Sequence, residues 1–63
     1  MRVSIKAMRV HRNLTQLEMA CALKVTKKTV NSWENGRTVP GVDMIEPICT
    51  VLGCSYDDIE WSH

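Results

Sequence analysis

Apolar residues along this chain recur three and four positions apart, and no stretch alternates apolar and polar over a useful length, so the pattern predicts helices and no strands. Residues 2 to 12 read as a first helix, with Ile5 and Met8 on one face and Arg or Lys between them, and Asn13 as the stop. Thr15 and Glu18 form the T-x-x-E pattern in which a threonine hydroxyl and a glutamate carboxylate each satisfy an end amide of a helix. A second helix therefore runs from about Gln16 to Leu23, with Leu17, Met19, Ala20 and Leu23 as its apolar side. Thr26 caps a third helix that starts at Lys27 and ends near Asn35 and Gly36. A fourth is expected over Asp43 to Leu52, with Ile45, Ile48, Val51 and Leu52 apolar and Asp43 and Glu46 as a second capping box. Pro47 lies inside it and predicts a small distortion or a late helix start. Gly53 ends that helix, and Ser55 with Asp58 predicts a short fifth helix over Asp57 to Trp61.

A chain of 63 residues holds one domain and buries only a small core. At 44% apolar and 24% charged it has the make-up of a soluble globular protein. No apolar run is long enough to span a membrane, and the start, MRVSIKAMRVHR, lacks the continuous apolar core of an export signal, so the expected location is the cytoplasm. Cys21, Cys49 and Cys54 are odd in number and lack zinc-ligand spacing, and neither His11 nor His63 has a partner ligand nearby. The expectation is reduced thiols, no metal and no cofactor. No Gly-rich loop, acid pair or nucleophile–base set points to an enzyme.

The net charge of +1 hides an asymmetry. All eight basic residues fall between Arg2 and Arg37 beside two acids, Glu18 and Glu34, which leaves that part at +6. From Thr38 onward there are five acids and no Lys or Arg, a charge of −5. A basic face beside an acidic one suits a protein that turns one side to a polyanion.

The third helix sharpens that picture. At about 100° per residue, Thr29, Val30 and Trp33 share its core side, and Lys27, Lys28, Asn31, Ser32 and Asn35 share the other. Every residue on the second face can donate a hydrogen bond and none is acidic. Lysine donates to guanine O6 and N7, asparagine pairs with adenine N6 and N7, and serine serves several base edges. Two readings stand on these residues alone: a face that reads nucleic acid, and a solvated face of a small bundle.

The segment LTQLEMACALKVTKKTVNSWENGRTVPG, residues 14 to 41, resembles the helix-turn-helix core of the phage Cro and repressor (XRE-like) family. The likeness extends to IKAMRVHRN before it and VLGCSYDDI after it, so that it covers about residues 5 to 59. The resemblance implies an all-α, five-helix bundle of the lambda-repressor-like type, with helices 2 and 3 as the helix-turn-helix. It implies a sequence-specific transcriptional regulator, a phage or mobile-element repressor that binds a palindromic operator as a homodimer, with half-sites roughly 10 bp apart. Gln16 is then a phosphate contact. Thr26, Lys27, Lys28 and Ser32 lie near phosphate and base edges, and Asn31 joins that surface by helix geometry. Asn35, Arg37 and Thr38 lie where the loop meets a phosphate strand. Arg9 and Glu34 match a structural ion pair between the first and third helices. The dimer surface falls toward the C-terminal part, with Tyr56, Ile59 and Trp61 as candidates; Trp61 reads equally as a cap on its own core. The chain departs from the family at Lys24, where glycine is common in the turn, at Pro47, and at Gly41, which replaces a serine cap. Lys27 and Lys28 replace glutamine or serine, so an operator sequence does not transfer. An alternative of another class is a protein-binding module that docks its acidic surface onto a partner repressor or toxin.

Overall fold

Helix ends govern this fold. The computed structural model describes residues 2 to 61, and His63, considered above as a ligand, lies outside them. Four α-helices follow in order: α1 (Ile5–His11), α2 (Gln16–Leu23), α3 (Lys27–Glu34) and α4 (Val42–Leu52), then a single 3-10 turn, Tyr56–Asp58. All four helices stop the same way. Asn13, Lys24, Gly36 and Gly53 take left-handed φ values of 60°, 60°, 74° and 65°. The residue after each donates its N–H to a carbonyl five positions back: Leu14 to Arg9, Val25 to Ala20, Arg37 to Ser32 and Cys54 to Cys49, all at 3.0–3.1 Å. This double-bonded stop consumes carbonyls that a helix end otherwise leaves open, and it reverses the chain within two residues.

Three of the four starts are set by side chains. Ser4 Oγ accepts the Ala7 N–H at 3.0 Å, so α1 begins at Ile5 rather than at residue 2. Thr15 and Glu18 form the expected reciprocal box, at 3.0 and 2.8 Å. Thr26 Oγ1 accepts the Thr29 N–H at 3.1 Å and starts α3 at Lys27. At α4 the expected Asp43–Glu46 box is replaced by Gly41, which caps without a side chain, so the helix starts early at Val42. Pro47 then lies in its interior. It withholds the N–H that the Asp43 carbonyl would accept, yet the helix continues to Leu52 because Ile48 and Leu52 are fully buried beyond it.

The expected five-helix bundle is corrected to four helices among the described residues. The last segment does not wind because Ile59 is drawn into the core, at 0% exposure, in extended conformation (φ −116°, ψ 137°). It makes a parallel bridge with Val3, where Val3 N–H donates to Asp58 O at 3.0 Å and Glu60 N–H to Val3 O at 2.8 Å. Only the 3-10 turn survives of the fifth helix.

The core joins Ile5, Met19, Ala20, Leu23, Val30, Trp33, Ile48, Leu52 and Ile59, one cluster fed by all four helices and by Ile59 after the 3-10 turn. Leu17, expected on the apolar side of α2, is 58% exposed instead. Arg12 fastens α1 to the end of α4: its Nε donates to Leu52 O at 2.7 Å and its Nη2 to Gly53 O at 3.0 Å. A cation at the negative end of a helix is favourable in charge as well as in hydrogen bonding. Among the described residues no helix is long and apolar enough to cross a membrane.

Candidate nucleic-acid interface

Two helices and a three-residue corner position the candidate surface. The corner works because Lys24 accepts the left-handed conformation (φ 60°, ψ 38°) that glycine adopts without strain, and because Thr26 caps the next helix at once. Val30 and Trp33 pin α3 to the core, with Thr29 half-buried beside them. That leaves Lys27, Lys28 and Asn35 exposed and Asn31 and Ser32 half-buried on the outer face. The helix ends on Gly36, and Arg37 and Thr38 follow it as exposed loop.

The one acid of α3 is withdrawn from this face. The Glu34 side chain is 2% exposed and meets Arg9 in a two-pronged pair, Nε to Oε2 at 2.6 Å and Nη2 to Oε1 at 3.2 Å. The Arg9 Nη1 donates to Leu14 O at 2.7 Å, so the pair ties α1 both to α3 and to the segment that leads into α2. Forked arginine–carboxylate pairing of this kind is directional as well as strong.

Sequence reasoning found this pair but not what is attached to it. The Gln16 Nε2, at the start of α2, donates to Glu34 Oε1 at 3.0 Å and to Asn31 Oδ1 at 3.3 Å. The Asn35 Nδ2 donates to the same Asn31 Oδ1 at 2.9 Å. The only signal in the sequence was a set of amide side chains at the facing ends of α2 and α3, and spacing alone does not say which pairs with which.

The candidate dimer residues separate. Ile59 is corrected to a core residue, since its bridge to Val3 turns it inward, and it offers nothing to a second chain. Tyr56 is exposed, and Trp61 stacks on it with ring centroids 5.6 Å apart and planes 18° apart. The Trp61 Nε1 donates to Tyr56 O at 2.9 Å, which closes the 3-10 turn. Cys49 and Cys54 touch across the end of α4; burial pushes both thiols above their ordinary range, which holds them protonated. No group of three or more His, Cys, Asp or Glu suited to a metal occurs among the described residues.

Two short capped helices, a left-handed corner and an outward donor face are the geometry of a helix-turn-helix, and the sequence pattern of the family described by that name matches residues 5–59. This chain belongs to the helix-turn-helix family. Among curated relatives, the helix-turn-helix chain is similar to the antitoxin PezA of Streptococcus pneumoniae serotype 4, 34% identical over 56 residues, which is 89% of this chain and 35% of that protein. It is also similar to the 26 kDa repressor protein of Escherichia phage HK022, 42% identical over 38 residues, 60% of this chain and 16% of that protein. The helix-turn-helix chain thus spans about a third or less of the length of either relative.

Proposed function

We propose that this domain is the DNA-reading part of a transcriptional regulator, and that it acts as a repressor-type dimer on a palindromic operator. One observation carries the reading: the sole carboxylate of α3 is buried against Arg9, so the helix offers the solvent only hydroxyl, amide and ammonium groups. Two lysines at a helix N-terminus oppose the helix dipole, and a polyanion seated there offsets the conflict. In this reading α3 enters the major groove and α2 lies across the backbone. Lys27, Lys28, Asn31 and Ser32 face base edges. Thr26, Asn35, Arg37 and Thr38 face phosphates, together with the start of α2 at Gln16. A single module of this size covers on the order of 600–1,000 Å², too little for tight binding alone, which favours two copies on one site. Tyr56 and Trp61 form the apolar surface for that pairing. The likeness to a phage repressor supports the reading.

The likeness to an antitoxin supports a second one, in which the acid-rich surface after Thr38 also receives a protein partner. Selection of bound sequences from a random pool of double-stranded DNA tests the first. An enriched palindromic motif is expected, whose affinity falls with a slope of about −0.9 per phosphate contact in a log–log salt titration. A pool without an enriched motif would sink the DNA-reading function and leave the protein-partner reading.

A further inference from the structure

Asn31 is the one base-facing candidate on α3 whose hydrogen-bonding sense is decided by the protein itself, and the decision starts in the buried ion pair. Both Glu34 carboxylate oxygens accept from the Arg9 guanidinium, so this side chain takes hydrogen bonds and gives none. Its Oε1 lies 3.0 Å from the Gln16 side-chain amide, so the Gln16 group facing it must be the NH2. The same NH2 lies 3.3 Å from the Asn31 amide, so the Asn31 group facing it must be the carbonyl. A second donor, Asn35 Nδ2, lies 2.9 Å from that carbonyl oxygen. A carbonyl oxygen has two lone pairs, and both are engaged. What Asn31 has left is its NH2, which makes no hydrogen bond to another described residue. An asparagine needs both its oxygen and its nitrogen to pair bidentately with adenine, which offers one acceptor and one donor in the major groove. Guanine offers two acceptors, N7 and O6, and takes the NH2 alone. Lys27 and Lys28, one turn earlier on the same face, are likewise donors only.

We infer that the Arg9–Glu34 pair, acting through Gln16, locks the Asn31 amide with its NH2 outward, so that Asn31 selects guanine rather than adenine in the bound DNA. Gln16 is then a positioning residue for base choice. This rests on the DNA-reading function proposed above and goes further, in naming the base chemistry that the site accepts.

The test is selection from a random double-stranded DNA pool, run in parallel with the unaltered protein, Asn31→Ala and Gln16→Leu, each checked for folding by its thermal melt. The position whose preference is lost in Asn31→Ala is expected to carry guanine in the unaltered protein, favoured about fivefold or more over adenine. In Gln16→Leu, the Asn31 carbonyl keeps the Asn35 donor but regains the lone pair that Gln16 engaged, so adenine should gain at that same position while the other positions keep their preferences. A uniform loss of affinity from a missing phosphate contact would not move one position alone. Adenine selected at that position by the unaltered protein overturns the inference and leaves DNA reading intact. So does a motif that Asn31→Ala leaves unchanged, or a guanine preference that survives Gln16→Leu. No enriched motif with any of the three proteins overturns the inference and the DNA-reading function together.

Discussion

Lys24 holds a backbone conformation, φ 60° and ψ 38°, that costs a side-chain-bearing residue roughly 1 kcal/mol more than glycine. Its side chain is exposed, so Lys24→Gly removes no packing, although the greater freedom of glycine in the unfolded chain returns part of the gain. The melting temperature of Lys24→Gly should rise by a few degrees; an unchanged or lower value in a calorimetric scan would show that the corner carries no strain. Glu34 and Lys27 lie on the same helix and should answer alanine very differently. Glu34→Ala strands the Arg9 guanidinium in a site that is 9% exposed and breaks the Gln16 contact as well, a loss of about 3 kcal/mol. Lys27→Ala removes an exposed side chain and should leave thermal stability nearly unchanged. Matching melts for the two variants would refute this scaffold role for the pair. Arg9 and Glu34 were legible in the sequence only through likeness to a family, since residues 25 positions apart show no periodic relation.

At the level of elements, what the sequence made readable was local. Thr15 with Glu18, Thr26, Asn13 and Gly53 each act within a few residues of their own position, and each does in the fold what its type implies. The fifth helix failed for the opposite reason. Its fate is decided by Ile59 reaching a core built from distant helices and by a bridge to Val3 at the other end of the chain. Leu17 was misplaced similarly: a helical period names an apolar face but not which edge of it the neighbours cover. The 3-10 turn that replaced the helix has an acid-sensitive latch. The Ser55 backbone N–H, and then its hydroxyl, hold the Asp58 carboxyl below its ordinary value of 3.8. A depressed folded value means that the latch stabilises the fold above the unfolded value and is lost as pH falls through the folded one. Asp58→Asn should therefore melt earlier than the unaltered protein at about pH 6, and the gap should narrow as the pH falls below 3.8. A gap independent of pH would assign the effect to something other than the carboxylate.

For the molecule as a whole, the charge division is the property that reaches furthest. The part through Arg37 carries +6 and the remainder −5, and under the proposed function that division would steer an approaching duplex toward the basic part. The proposed reading face was drawn from this division and from the α3 pattern. Its hydrogen-bonding sense was not, because that depends on amides from two helices meeting at 3.3 Å or less. The small core and the modest area of one module lead to a prediction about stoichiometry. A duplex with one half-site should bind weakly, and a palindrome should bind far more tightly with two copies per duplex, as read by sedimentation or native mass. One copy bound equally well to both duplexes would exclude the paired arrangement.

The bridge between Val3 and Ile59 brings the first and last described stretches of the chain side by side. The fold thus has a single point of attachment rather than two. Whatever is fused before residue 2 or after residue 61, whether a tag, a reporter or a further domain, starts from one spot on the surface. Its bulk loads the bridge between Val3 and Ile59. Reporters attached beside Val3 and Ile59 would therefore behave as near neighbours in any experiment that measures their separation.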